Sequence, residues 1–488
     1  MKKPARAARL PIAPSGFFAF RTPLLPASEL TALGAGLEAA SLPADASAAS
    51  IEAALAADQE RVRGRLRELL GRPEIREAIF VASPSLDESM GAWLEQPASE
   101  RGQKVERTLM RYLVRMAGRS TPFGLFAGCS VGTVGGPATR LTVEGRAAYQ
   151  RHTRLDMDYV CALTEGLARD PGLRPRLTFR PNSSLYRVGD RLRYAEGRID
   201  SGAGRSRSYH LVAVDATDYL DATLARAAEG ARPAELAAAL AEDPEIALEE
   251  AKAYVDELID NQVLVPDLEP AVTGPEPIHG LVDALAAAGA EATGLMASTR
   301  DAIDAIDRRG VGGNPASAYR AIAASLEVLP APVELPRLFQ VDMVKPAAGA
   351  TLGDAAVRDV IAAVELLHRM SGWSEVEGLR QFREKFGARY ETREVPLVEA
   401  LDEESGIGFE RTDAPGAEAS PLLEGLVFGG AAAAGGGPSF GARDAVLLEK
   451  LVDAARRGAR VWCTSRPPIS IGSSGRPRAA RACPTPSR

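Results

Sequence analysis

An α+β fold, helix-rich, with mixed or antiparallel sheets and an embedded winged-helix-like element, is predicted by three features of the sequence. Ala/Leu/Glu/Arg-rich runs with little glycine fill 28–70, 74–95 and 100–117, and such runs have high helix propensity. Between 130 and 200, apolar and polar residues alternate in short stretches, the period of half-buried strands. Residues 208–270 read as a strand, three helices and a second short strand, the order of a winged-helix module.

Each element follows from local pattern. Ser28 or Thr31 can cap the first helical run, and Pro84 interrupts the second. The run at 100–117 is the most amphipathic: Val105, Leu109, Tyr112, Leu113 and Met116 share one face. Arg107 and Arg111 lie on the opposite, wet side, whereas Arg115 and Arg119 turn toward the apolar boundary. There a guanidinium must find an anion or a hydrogen-bond partner. Pro122, Gly124, Gly128 and Gly132 then force a turn and extended chain. Strand patterns follow at 138–143, 177–180, 184–188 and 192–195, with Gly189-Asp190 as a hairpin turn. A strand at 209–214 leads into helices at 219–228, 233–241 and 247–261 and an extended piece at 263–266. A Pro/Gly-rich linker at 271–278 precedes helices at 280–308 and 316–326, and the apolar LFQVDM reads as a strand. Helices return at 353–371 and 374–390; 402–440 is loop-rich, and a last helix covers 442–457.

Composition narrows the function. The 488 residues are 45% hydrophobic and 25% charged, which excludes global disorder and a collagen-like fibre. A formal charge of −7 argues against a protein that coats nucleic acid through its whole surface; any such contact is local. Seven of the 58 basic residues are lysine, leaving 51 arginines, the better bidentate partner for phosphate and carboxylate. Four cysteines and four histidines are scattered, with no metal-ligand spacing, so no metal site is expected. Few cysteines, no convincing signal peptide and no long apolar run point to an unanchored chain in a reducing cytoplasm.

Generic catalytic signatures fail on context. Gly128-Cys129-Ser130-Val131-Gly132 matches G-x-S-x-G, but Thr133-Val134-Gly135-Gly136-Pro137 cannot start the helix that a nucleophile elbow needs. No P-loop is present, and no Gly-rich loop sits between a strand and a helix.

The stretch RMAGRSTPFGLFAGCSVG, Arg115 to Gly132, resembles the signature of the class I lantibiotic (lanthipeptide) dehydratases, in their N-terminal glutamylation region. Further stretches fall in the family's order: FFAFRTP from Phe17, RLDMDY from Arg154, NSSLYRVGDRLRY from Asn182, LIDNQVLVPDLEPAVTGPEP from Leu258, LFQVDM from Leu338, and FGARYETREVPLVEALDEESGIGF from Phe386. Pro266 stands where the family usually has serine. The likeness covers roughly 15–458.

The resemblance implies a reaction and roles. Glutamyl-tRNA, a co-substrate, gives its glutamate to a Ser or Thr hydroxyl of a precursor peptide, and an elimination domain later expels it to leave a dehydroamino acid. Arg115, Arg119, Thr121 and Asp156 match family residues implicated in catalysis of glutamylation; Arg21, Arg111 and Asp342 are assigned to substrate or tRNA binding. Arginines suit phosphate and carboxylate clamps and oxyanion stabilisation. Thr121 can hydrogen-bond the ester or the acceptor. Asp156 can hold the glutamyl ammonium or take a proton; its alternative role is partner to Arg154 or Arg119. No resident cofactor is implied. Expected partners are the precursor with its leader, glutamyl-tRNA, a cyclase, an elimination subunit and a second copy of the chain, without membrane insertion. Residues 183–270 match the position of an embedded leader-binding winged helix, which could capture the leader as an added strand.

Two departures qualify this reading. Family members are longer and carry a C-terminal elimination domain, so 1–460 reads as a partial, truncated glutamylation domain. Residues 461–488 hold five arginines, five prolines and no acidic residue, and read as a disordered basic tail from a truncated or shifted frame. Two other functions stay open: a dehydratase-like ligase that adds an amino acid from aminoacyl-tRNA to a peptide, and a non-catalytic leader-binding remnant.

Overall fold

The computed structural model describes residues 12–199, 207–370, 377–402, 406–409 and 441–457. The tail expected at 461–488 and most of the loop-rich stretch expected at 402–440 lie outside them. Contacts divide the chain into two units, 1–366 with 376–409, and 367–375 with 410–488.

The first unit begins with an edge strand, β1 (Phe17–Pro23), and a helical layer: α1 (Ala27–Leu33), α2 (Ala48–Leu70), α3 (Pro73–Ala82), α4 (Pro84–Glu95) and α5 (Glu100–Gly118). The expected single helix at 28–70 is therefore two. Gly34 ends α1, and Ser47 restarts the helix by accepting from the Ser50 amide at 3.2 Å, a side-chain N-cap. Ser83 and Ser99 cap α4 and α5 in the same way.

Next come β2 (Ala127–Val134), β3 (Arg140–Val143), β4 (Gln150–Leu155), α6 (Met157–Ala168) and β5 (Phe179–Pro181). Three antiparallel strands follow, β6 (Tyr186–Val188), β7 (Arg191–Ile199) and β8 (Arg207–Asp215), then α7 (Asp218–Ala227), α8 (Pro233–Leu240), α9 (Leu248–Asp260) and β9 (Leu264–Pro266). Gly189 turns the β6–β7 hairpin at φ 58°, a conformation that favours glycine. Leu192 and Tyr194 of β7 pack into one buried core with Leu220, Leu236 and Val255 of the three helices.

The remainder is α10 (Pro277–Ala287), α11 (Ala292–Arg308), α12 (Ala316–Leu326), α13 (Leu335–Leu338), β10 (Phe339–Val344), β11 (Ala347–Leu352), α14 (Asp354–Met370), α15 (Glu377–Tyr390) and α16 (Leu397–Leu401). The expected helix at 280–308 breaks at Gly289, whose φ of 61° ends α10. In the second unit, α17 spans Ala442–Arg456.

One mixed sheet organises the first unit. β1 runs antiparallel to β2, from Phe17 opposite Thr133 to Pro23 opposite Ala127. On β2's other side, β10 pairs parallel at its start and β11 further along; β4 then pairs antiparallel with β10, and β3 with β11. Of these strands, the sequence pattern predicts β3 and β10 but misses β1, β4 and β11. It reads β2 only as extended chain. Close packing hides β2: a Cβ on Gly128 would sit 2.8 Å from Lys345 Cγ, and one on Gly132 2.6 Å from the Phe18 ring. Glycine permits those approaches but blurs the alternation that marks a strand.

Behind this sheet lies a buried polar knot. Glu77 of α3 accepts from the Arg151 guanidinium of β4, from Asn314 Nδ2 at 3.0 Å and from Tyr319 Oη at 2.7 Å. Arg151 also donates to Thr153 Oγ1 at 2.9 Å and to Asp307. The Glu77 and Arg151 side chains are 1% and 0% exposed. Glu77→Ala leaves a buried cation without its nearest anion, so the predicted loss of stability is about 3–5 kcal/mol. Urea unfolding followed by circular dichroism measures it; an unchanged midpoint contradicts the role given to this knot.

Candidate functional site

The site is built where α5 ends. Its apolar stripe, Val105, Leu109, Leu113 and Met116, is buried, so Arg111 and Arg115, four residues apart, lie in one row along the helix. Gly118 is the last helical residue, and Arg119 is already extended at φ −123°, ψ 128°. The chain turns through Ser120-Thr121-Pro122-Phe123, with Gly124 at φ 52°, and enters β2. Two amides clamp the arrangement: Leu24 N donates to Phe126 O at 2.8 Å, and Leu25 N donates to Met116 O at 2.9 Å. The end of β1, the last turn of α5 and the start of β2 are thus held together, which brings Arg21, Arg115, Arg119 and Thr121 onto adjoining elements.

Among the described residues, Arg115 does not find the anion or hydrogen-bond acceptor expected for it. Its guanidinium lies 4.3 Å from the centroid of the Phe123 ring, a cation–π contact. Its Nε is buried without a partner among the described residues. Phe123 is itself held edge-to-face against Phe126 at 5.5 Å. Arg21, Arg111, Arg119 and Thr121 are exposed. Several arginines elsewhere are closely matched: Arg63 with Glu60 and Glu106, Arg72 with Glu29 and Glu74, Arg174 with Asp256 and Asp260. Among the described residues, Arg21, Arg111, Arg115 and Arg119 form no such ion pair.

Asp156 lies at the same end of the sheet. It follows β4, and its amide donates to Leu338 O at 2.9 Å. Oδ1 accepts from the Asp158 amide at 2.9 Å and so caps α6; Oδ2 carries no hydrogen bond among the described residues. The alternative of a partnership with Arg154 or Arg119 is not realised. Arg154 binds Asp342 Oδ2 at 2.8 Å instead. The pairings Arg21–Cys129, Cys129–Val344 and Asp342–His152 put Arg21 and Asp342 on one face of the sheet, since paired residues share a face. The structure therefore places Arg115, Arg119 and Thr121 on the helix end and turn and Arg21 on the strand beside β2, sets Asp156 two strands from β2 at that end, and leaves Asp342 engaged on the sheet face. Gly128–Gly132 lies in β2, and Ser130 is buried, donating to Lys345 O at 2.7 Å, so no nucleophile elbow exists there.

Lys345 is a residue that sequence reasoning missed. It is 2% exposed, donates to the Pro23 carbonyl at the end of β1, and its Nζ stands 4.6 Å from the Tyr149 ring centroid. It ties the Arg21 strand to the sheet. Its only signal is that Val341, Met343 and Lys345 alternate onto the inner face.

Comparison places the chain. Residues 71–465 match the family described as lantibiotic dehydratase, N terminus, and the chain belongs to that family. It is 26% identical over 364 residues to the subtilin biosynthesis protein SpaB of Bacillus subtilis, a match covering 71% of this chain and 33% of SpaB. The fold is similar to the tRNA-dependent lantibiotic dehydratase MibB from Microbispora sp. 107891, with TM-score 0.63 and 22% identity, over 91% of this chain and 38% of MibB. It is also similar to the glutamylation domain TbtB from thiomuracin biosynthesis bound to 5'-phosphodesmethylglutamycin, with TM-score 0.51 and 20% identity, over 91% of this chain and 62% of that one. The chain thus spans about a third of its curated relative's length. No helix among the described residues is long and apolar enough to cross a membrane.

Burial pushes the Lys345 ammonium down to about 8 from its ordinary 10.5. Between those pH values the unfolded chain binds more protons, so this group makes stability rise with pH across the window, and below it the full cost remains. Lys345→Met is predicted to remove that rise, about 3 kcal/mol in all. Urea midpoints of parent and variant between pH 7 and 10.5 test it; parallel curves contradict it.

Proposed function

We propose that this chain transfers glutamate from glutamyl-tRNA to Ser or Thr hydroxyls of a precursor peptide. Membership of the dehydratase N-terminal family supports the reading. The observation that carries it is the set of arginines around the Arg-Ser-Thr-Pro turn, three of them exposed, that pair with no carboxylate among the described residues. Uncompensated guanidinium groups at one place suit a polyanionic substrate and a carboxylate-bearing acyl group. With the charged tRNA as co-substrate, the reaction belongs in the cytoplasm.

The step is a transesterification. The Ser or Thr oxygen attacks the ester carbonyl of glutamyl-tRNA, the tetrahedral oxyanion collapses, the bond to the terminal ribose oxygen breaks, and the hydroxyl proton passes to that oxygen. Arg119 and Arg115 stabilise the oxyanion, Thr121 orients the ester, and Arg21 and Arg111 hold tRNA phosphate or the glutamyl carboxylate. Asp156, with Oδ2 open, accepts the hydroxyl proton or binds the glutamyl ammonium. Asp342 acts through Arg154, which it orients on the sheet face. No resident metal or cofactor is proposed, because positioning and charge stabilisation suffice for acyl exchange.

The β6–β8 and α7–α9 element supplies the leader site in this reading. Among the described residues no second strand pairs with β8, and its Tyr209 and Leu211 are exposed, which suits capture of an extended leader as an added strand.

The test incubates the chain with glutamate, glutamyl-tRNA synthetase, its tRNA and a Ser/Thr-rich precursor peptide that carries its leader. Glutamyl adducts are expected by mass spectrometry. Arg119→Ala is expected to lower their formation by about a hundredfold or more with leader binding and melting temperature unchanged. Loss of leader binding together with activity means a folding role and overturns the assignment.

A further inference from the structure

A cleft of about 1020 Å³ lies between α6 and the β6–β8 and α7–α9 element, and shares Tyr209 with the proposed leader site. One wall is α6 and the segment from Pro330 to Leu338; the other is β7, Tyr209 of β8 and the end of α9 with Gln262. Its lining on α6 runs from Arg169 to Asp158, two residues from Asp156. At the rise of an α-helix that is about 16 Å, the reach of about five extended residues.

The cleft's chemistry selects its occupant. Six carboxylates and four guanidinium groups line it. Arg174 is bound by Asp256 and Asp260, and Arg198 by Glu196. Such a surface repels a phosphate backbone. Nor does it offer a strand edge. Beyond β6, the Ala195 amide of β7 is held by Ser184 Oγ at 2.9 Å, and both main-chain groups of Gly197 are held by the Gln262 side chain at 2.9 and 2.8 Å. What is unmet is a hydroxyl: Tyr159 lines the cleft, and its Oη is buried with no hydrogen-bond partner among the described residues. A buried unmet hydroxyl is costly, and a ligand that meets it recovers that cost.

We propose that this cleft holds an extended, neutral, polar segment of the substrate peptide, the stretch between leader and modified residue, and leads it along α6 toward Asp156. The proposal rests on the transferase reading for its direction, but its binding chemistry stands on the cleft alone. Tyr159 bonds the peptide's main chain, and Tyr209 covers it at the rim.

Photo-crosslinking tests it with the full chain. A short synthetic Ser/Thr/Gly peptide carrying benzoylphenylalanine is irradiated with the protein, and labelled positions are read by mass spectrometry. Labels are expected on α6, on the Pro330–Leu338 segment and on β7. Ala162→Trp, which fills the cleft, and Tyr209→Ala, a surface change, are each expected to reduce labelling there, by about tenfold and about threefold. Tyr159→Phe is expected to reduce it about fivefold, a hydrogen bond's worth, without a lower melting temperature. Labels scattered elsewhere, no labelling, or labelling indifferent to Tyr159→Phe and Tyr209→Ala overturn the proposal. The assay uses no tRNA. A chain that labels in the cleft but forms no glutamyl adduct therefore sinks the transferase reading alone, and adducts without cleft labelling sink this one alone.

Discussion

Two main-chain hydrogen bonds, Leu24 N to Phe126 O and Leu25 N to Met116 O, are the constraint on which the proposed site depends. They bind an edge strand, a helix end and the start of a central strand at one point. Without them Arg21 would sit on a strand free to fray, and Arg115 and Arg119 on a helix end free to swing. Because the amides pair, the Arg-Ser-Thr-Pro turn has a fixed entry and exit. Side chains then refine the corner: Phe126 holds Phe123, Phe123 carries the Arg115 guanidinium, and Lys345 ties the Pro23 carbonyl from beneath. A ring face offers a cation attraction without neutralising it. Arg115 can therefore be packed against protein and keep its charge.

How much of this is legible in the sequence varies with the physics of each element. Helix α5 is legible because its burial is one-sided, so its period shows. Helices α7–α9 and the β7–β8 strands are legible for the same reason. The edge strand β1 is not, because FFAFRTP packs bulky residues on both faces and shows no clean alternation. β2 is hidden by glycines that the close approach of Phe18 and Lys345 demands. Of the candidate residues, Arg115, Arg119 and Thr121 are neighbours in the chain itself, so their adjacency is legible without any fold. The Arg154–Asp342 pair, the capping bond of Asp156 and the burial of Lys345 depend on strand register, and a register set by long-range pairing leaves no local trace.

The distribution of charge separates the molecule's surfaces. Many arginines in the body of the fold meet carboxylates, and the Glu77–Arg151 knot shows how completely this can be done in the interior. The arginines around the end of α5 form no ion pair among the described residues, while the α6 cleft has more acid than base. On the proposed reading the two surfaces divide the substrates: the polyanion meets the cationic corner, and the peptide meets the cleft, whose excess of acid turns phosphate away. Asp156, which caps α6 at one end of the cleft and stands at the corner's end of the sheet, is where the two would meet.

The most direct measure of this account is the salt dependence of glutamyl-tRNA binding. Each phosphate contact made by an arginine releases counterions and steepens the fall of log affinity with log salt. Binding by the parent and by Arg21→Gln, Arg111→Gln and Arg119→Gln is compared across a range of potassium chloride concentrations. The account predicts a shallower slope in at least two of the three variants, by about 0.7–0.9 each. Three slopes equal to the parent's, with tRNA still bound, would contradict it.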